Sequence, residues 1–281
     1  MHITPDISKL IDLAIQEDYS MGDATTEALI PNTTVGTATI VADMDGILAG
    51  LDVALEVFIR LAQETEITKL VDDGTSLIKD QKIAVINGKL SSILTAERTS
   101  LNFLRKLSGV ATETHKYVET VAHTKALIVD TRKTTPGFRH LEKYAVRTGG
   151  GHNHRRNLGD GILIKENHTR TLKAEGLNLT DIIKKARRNA SHTIKLEVEV
   201  EDLLQFQEAL EAKAELILLD NMSLDDMAKA VYMCDGRAIL EASGGINLQS
   251  VGQVAETGVD LISVGALTHS SPDLDLSLDI N

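Results

Sequence analysis

Apolar residues recur every three to four positions at the start of the chain. Ile7, Leu10, Ile11, Ala14 and Ile15 share one helical face, with Thr4 placed to cap the helix and Pro5 at its first position. The pattern then shortens. Residues 35–46 (VGTATIVADMDG) predict a strand running into a turn, and 52–63 (DVALEVFIRLAQ) a helix capped by Asp52. Residues 82–88 (KIAVING) predict a strand ended by an Asn87-Gly88 turn. A long amphipathic helix is expected from near Thr95 to beyond residue 115. Gly109 counts against it, since glycine within a helix costs about 1 kcal/mol relative to alanine.

Beyond this helix the chain carries six short, almost continuously apolar runs: 126–131, 162–165, 193–200, 215–220, 237–243 and 261–265. Such runs suit strands buried on both faces. Helical segments separate the later ones, with caps expected at Asp202, Ser223 and Asn247, and Ser223 with Asp226 resembles a capping box. Alternating strands and helices imply a parallel sheet with right-handed crossovers. The expected fold is α/β: an incomplete α/β barrel of about six parallel strands at 113–281, including a terminal tail, preceded by an α+β sandwich domain at 1–112.

In such a barrel the C-terminal strand ends build the site. Here those ends are Arg132-Lys133, Lys165, Glu199, Asp220, Ser243-Gly244-Gly245 and Gly265-Ala266. Charge sharpens the picture. The chain has a net charge of −12, yet residues 132–165 hold eight Lys/Arg against two Asp/Glu. A basic focus in an acidic protein suits a small polyanion and argues against nucleic acid or a membrane surface. Arg132, Lys133, Arg155 and Lys165 sit at strand ends or in the glycine-rich loop and read as functional, whereas Lys143 and Arg156 read as a solvated face. The triplet Gly149-Gly150-Gly151 either brings backbone close to a ligand or forms a loop after a helix. His152 and His154 form a His-x-His pair that zinc could use, but no third ligand adjoins them. Glu197 and Glu201 share the strand parity of Glu199, so alternation leaves open which acid acts. The lone Cys234 excludes an internal disulfide. With no secretory or membrane-spanning pattern, the expected setting is cytoplasmic.

The segment DTRKTTPGFRHLEKYAVRTGGGHNHRRNLGDGILIKENH (130–168) resembles the central signature of the quinolinate phosphoribosyltransferases. The likeness continues through EDYSMGDATTE (17–27), AERTSLNFLRKLSGVAT (96–112), LEVEVED (196–202), LLDNMS (218–223), LEASGGI (240–246) and TGVDLISVGALTHS (257–270). The resemblance implies transfer of phosphoribose from 5-phosphoribosyl 1-diphosphate to quinolinate, with Mg²⁺ and loss of CO₂. It implies that Arg132, His154, Arg155 and Lys165 hold the quinolinate carboxylates. Arg98 would reach the site of a neighbouring subunit, in a homodimer or a dimer-based hexamer. Lys133, Glu199 and Asp220 would bind the donor and its metal. Ser243, Gly244, Gly245, Gly265 and Ala266 would hold the 5-phosphate, with Thr131, Val264 and His269 beside them. Lys133, Lys165, Glu199 and Asp220 would carry the catalytic roles.

Overall fold

The computed structural model describes residues 1–62 and 64–280. In chain order the strands are β1 (Val35–Ala42), β2 (Gly46–Ile47), β3 (Glu66–Lys69), β4 (Ser76–Leu77), β5 (Lys82–Lys89) and β6 (Leu127–Val129). They continue with β7 (Ile162–Ile164), β8 (Leu196–Val200), β9 (Leu216–Asp220), β10 (Ile239–Ser243), β11 (Leu261–Ser263) and β12 (Leu276–Ile280). The chain forms two compact units, residues 1–115 with 135–150 and 270–281, and residues 116–134 with 151–269.

The first unit is built on an antiparallel sheet in the order β12-β1-β5-β3. The terminal tail thus contributes a strand, with Ala38–Ala42 paired to Ile280–Leu276. Ala38, Ile40, Ala42, Ile83 and Ile86 are buried in the sheet, as are Val53, Val57 and Phe58 from the helix Leu51–Leu61. The first helix, Pro5–Tyr19, follows its sequence pattern. Thr4 accepts from the Ile7 amide, and Ile7 and Ile11 are buried.

Four local expectations need correction. The helix at 51 is not capped by Asp52. Gly50 holds its N-cap position at φ 88°, and the amides of Gly50 and Leu51 donate to the Asp73 carboxylate at 2.9 and 3.0 Å. A carboxylate distant in sequence does the work of a cap, which local pattern cannot reveal. The same helix ends at Leu61, and the expected last residue, Gln63, lies outside the described residues. Asn87-Gly88 makes no turn: β5 continues through it because Gly88 faces Gly36 and Asn87 faces Thr37, whose hydroxyl donates to Asn87 Oδ1. The long helix runs Leu90–Val121, starting directly at the end of β5. Gly109 is there for packing: a Cβ would lie 2.1 Å from the Pro272 carbonyl oxygen and 2.9 Å from Asp273 Cα.

Residues 135–150 also belong to this unit. Phe138 stacks on Phe103 with ring centroids 5.7 Å apart, and Tyr144 donates to Asp73 at 2.6 Å. Glu142 is fully buried and accepts from the amide and hydroxyl of Thr135. Lys143, expected on a solvated face, is only 2 % exposed, because this face of the helix Arg139–Thr148 packs inward. Arg156 is exposed, as expected.

The second unit is a six-stranded sheet in the order β6-β11-β10-β9-β8-β7, and every pairing is parallel. This order decides the architecture. Consecutive right-handed crossovers alone would leave β6 and β11 as the two edges. Here β11 instead pairs with β6 through Leu127, Ile128 and Val129, so the sheet winds round to its first strand and the gap falls between β6 and β7. The result is an incomplete α/β barrel. Asp202 and Ser223 cap the helices Leu203–Glu211 and Leu224–Cys234 as expected. Asn247 instead holds the turn before the helix Val251–Glu256, accepting from the amides of Gln249 and Ser250. Among the described residues no helix is long and apolar enough to cross a membrane.

Candidate active site

The gap between β6 and β7 is spanned by residues 152–155. His152 bridges to Val129 in β6, its amide donating to the Ile128 carbonyl at 2.8 Å and its carbonyl accepting from Asp130 at 3.1 Å. Asp130 is fully buried and fixes the next two residues, accepting from Asn153 Nδ2 at 2.7 Å and from the His154 amide at 2.8 Å. On the other side, Arg155 Nη1 donates to the Gly161 carbonyl, one residue before β7, at 2.9 Å. Gly149 follows the helix Arg139–Thr148 as its C-cap, and Gly150 takes φ 90°.

At the C-terminal ends of the strands lies a cleft of about 590 Å³. Thr131, Arg132 and Lys133 line it after β6, His154 and Arg155 from the spanning segment, and Lys165 after β7. Glu199, Asp220, Ser243, Gly244 and Gly245 complete the expected set. Two rows can be read from strand register. Asp220 pairs with Ser243 at the rim, and one row deeper Glu199, Leu218 and Glu241 lie in register. Leu163, Leu218, Asn221, Glu241 and Ser263 also line the cleft and were missed in the sequence. The signal for three of them was strand parity, since Leu163, Leu218 and Glu241 each stand two residues before a rim residue.

The basic side chains face inward with donors to spare. Arg132 Nε and Arg155 Nε are buried and meet no hydrogen-bond partner. Burial, then the positive charge of Arg132, pulls the Arg155 guanidinium below its ordinary range, and Glu197 partly offsets this. Lys165 Nζ lies 3.4 Å from Glu199 Oε2. Glu199 Oε1 also accepts from the Glu166 amide at 3.4 Å, at the start of the helix Glu166–Ala174.

The loops after β9 and β10 interlock. Asn221 sits at φ 54° and donates through its amide to the Ser243 carbonyl at 2.9 Å. Its side chain donates to Asp220 Oδ2 at 2.9 Å. Gly244, at φ 102°, leaves no room for a side chain: a Cβ would be 2.2 Å from Asn221 Oδ1. Beside this, Thr268 Oγ1 donates to the Lys133 carbonyl at 2.7 Å, and Gly265 packs between Lys133 and His269.

Not every expected residue reaches the cleft. Val264 is buried, and Gly265, Ala266 and His269 stand next to the cleft lining, not in it. Arg98, expected in a neighbouring subunit's site and not in this one, is exposed on the helix Leu90–Val121 and lines a cavity of about 420 Å³ in the first unit with Thr99, Asn102, Phe103 and Lys106. His154 is tied within the protein at both ring nitrogens. Nδ1 accepts from the Arg155 amide at 2.8 Å, and Nε2 lies 3.0 Å from Glu197 Oε2. The His-x-His zinc reading is not what the geometry offers. Among the described residues, the group close enough to hold a metal ion is His154, Glu197 and Glu241, and it does not include His152.

Comparison with known proteins agrees with this geometry. The model for the quinolinate phosphoribosyl transferase N-terminal domain matches residues 23–108, and that for the C-terminal domain matches residues 110–279. The chain is 43 % identical to the Mycobacterium leprae nicotinate-nucleotide pyrophosphorylase [carboxylating], covering 95 % of this chain and 94 % of the relative. It is 40 % identical to the probable enzyme of that name from Bacillus subtilis, covering 98 % and 93 %. The solved nicotinate-nucleotide pyrophosphorylase from Francisella tularensis superimposes with a TM-score of 0.94 at 40 % identity, over 99 % of this chain and 98 % of that one.

Proposed function

Since the chain belongs to the quinolinate phosphoribosyltransferase family, we propose that it transfers phosphoribose from 5-phosphoribosyl 1-diphosphate to quinolinate, yielding nicotinate mononucleotide, diphosphate and CO₂ for NAD synthesis. One observation carries the reading: Arg132 and Arg155 both line the cleft, and each has a buried Nε without a hydrogen-bond partner. A buried donor left unsatisfied costs about 1–3 kcal/mol, more when charged, so two together at one cleft fit a ligand rich in carboxylate oxygens. Quinolinate has two adjacent carboxylates, and guanidinium forks match that geometry.

Arg132, Arg155 and Lys165 supply the charge that binds the dicarboxylate, while His154 supports Arg155. Both substrates are anions, so this charge offsets their mutual repulsion. At an effective dielectric near 20, one pair of unit charges 4 Å apart is worth about 4 kcal/mol before desolvation. Ser243, Gly244 and Gly245 offer a backbone turn for the donor's 5-phosphate, with Lys133 and Gly265 alongside. The quinolinate ring nitrogen attacks the anomeric carbon of the donor as the bond to diphosphate breaks. The ring nitrogen, now positive, stabilises the electron pair left on the neighbouring ring carbon when its carboxylate departs as CO₂, and a proton from solvent takes up that pair to form the C–H bond. The protein's contribution is to orient, neutralise charge and exclude water.

Glu199 and Asp220 are oxygen donors lining the cleft, neither fully buried. That suits Mg²⁺, which keeps much of its water and is held largely through substrate phosphates. Bound there, Mg²⁺ would neutralise charge on the departing diphosphate. Arg98 would complete the site from a second copy of the chain, making the working unit a dimer or a multiple of one.

The test is turnover with quinolinate, phosphoribosyl diphosphate and Mg²⁺, with nicotinate in parallel. Nicotinate mononucleotide and equimolar CO₂ from quinolinate are expected. Product from nicotinate alone would overturn the substrate, and no product from either would overturn the reaction. For the shared site, Arg98→Ala and Lys165→Ala proteins, each inactive, should regain activity when mixed and allowed to exchange subunits. No recovery in confirmed mixed oligomers would overturn the role of Arg98.

A further inference from the structure

Beneath the rim, the barrel holds two acids that the reaction as described does not use. Glu197 is 5 % exposed and Glu241 1 % exposed. They meet at His154: Glu197 Oε2 lies 3.0 Å and Glu241 Oε2 3.7 Å from His154 Nε2. Glu197 Oε1 and both Glu241 oxygens are buried without a hydrogen-bond partner. The Ser263 hydroxyl nearby donates to the Ala242 carbonyl at 3.4 Å.

The proton count of this cluster can be worked out. His154 Nδ1 accepts from the Arg155 amide, so a proton on the ring lies on Nε2, toward Glu197. One ring cannot offset two buried carboxylates, and like charges this close are not both ionised in a dry interior. One acid therefore keeps a proton. Glu241 is the better buried and is the one without the His154 hydrogen bond. We propose that Glu241 is a positioning residue for the dicarboxylate end of the cleft: as a neutral acid it leaves Glu197 alone to carry the charge that grips His154 and, through His154, fixes Arg155.

The chain of contacts is short. Glu197 holds the His154 ring, the ring accepts from the Arg155 amide, and Arg155 holds Gly161 and lines the cleft. Burial, then the charge of Glu197, pushes the Glu241 carboxyl up to about 8, in agreement with this assignment. The groups around Glu241 are few. Glu197 faces it from β8, His154 from the spanning segment and the Ser263 hydroxyl from β11. From β9 it meets Leu218 in register, with Glu199 one strand further on. Ionisation of Glu241 would add a second negative charge beside the site that must hold two carboxylates, and quinolinate would bind less well.

This inference rests on the quinolinate reading for its kinetic arm only. KM for quinolinate, KM for phosphoribosyl diphosphate and kcat should be measured from pH 6 to 9.5 in the wild type and in Glu241→Gln. In the wild type, quinolinate KM should rise severalfold above pH 8 while the donor KM does not follow. In Glu241→Gln that rise should disappear. A rise that persists in Glu241→Gln, or donor and quinolinate KM rising together, would overturn the proposal. The second arm needs no turnover: carbon-13 NMR of the carboxyl groups in the wild-type protein, with Glu241 assigned by its absence in the variant. A Glu241 carboxyl still protonated at pH 7 and titrating in the alkaline range is expected. An ionised Glu241 at pH 7, or Mn²⁺ or Zn²⁺ alone binding stoichiometrically and broadening or shifting this carboxyl, would mean that Glu241 is not the acid that keeps the proton, and the assignment would fall.

Discussion

Replacing Arg155 by lysine separates charge from geometry at the cleft. Lysine keeps the positive charge but not the planar fork. Two donors are then lost: Nη1, with its 2.9 Å bond to Gly161, and the buried Nε, which meets no partner within the protein. A hydrogen bond to a charged partner contributes about 1.5–3 kcal/mol, so losing one leg to the substrate should lower kcat/KM for quinolinate roughly 10- to 150-fold. Loss of the Gly161 bond also loosens the segment that closes the gap between β6 and β7, which adds to the effect. Arg155→Ala removes the charge as well and should fall well below the lysine variant. Steady-state kinetics with each substrate varied in turn is the assay. The donor KM should stay within about twofold of wild type, because the anchors proposed for the donor stand at β9, β10 and Lys133, and unfolding curves would exclude general damage. A lysine variant with wild-type kcat/KM for quinolinate would refute the claim that the guanidinium geometry matters here.

Three further outcomes are expected. Gly244→Ala should raise the donor KM roughly tenfold or more, since a strained backbone position costs about 1–3 kcal/mol and the new Cβ would strike Asn221; an unchanged donor KM would show that the β10 turn does not hold the phosphate. Gly109→Ala should destabilise the protein by about 2–3 kcal/mol or more by overpacking against Pro272, read as a lowered urea midpoint, and an unshifted midpoint would show that 272–273 yields freely. Glu241 holds its proton up to about 8 in the folded protein, above its ordinary value of 4.5. The folded state therefore binds more protons than the unfolded one between these values, and wild-type stability falls as pH rises through that window. Glu241→Gln should remove this part of the fall, so its melting temperature should gain on the wild type between pH 5 and 8.5; a constant difference across that range would contradict it.

Much of the site was legible from strand ends alone. Where an apolar run stops in a parallel barrel, the next residue is at the mouth, and this placed Arg132, Lys133, Lys165, Glu199, Asp220 and the Ser243 turn together. The run lengths and caps also gave the six parallel strands and the helices after Asp202 and Ser223. These features depend on local periodicity and on hydrogen bonds a few residues apart, which sequence records directly.

What depended on distant partners was decided only by the tertiary structure. Asp73 caps a helix more than twenty residues before it, and Pro272 explains a glycine in the middle of a long helix. Lys143 has the composition of a solvated residue but faces the interior. The return of β11 to β6, and the use of residues 152–155 to span the remaining gap, follow from strand order in three dimensions. Glu197 and Glu241 look like ordinary acids in LEVEV and LEAS, and only their meeting at His154 makes one of them keep its proton. Sequence fixes which groups are present and which way a strand turns them. The dielectric and the neighbours that set their charge exist only once the barrel has wound round on itself.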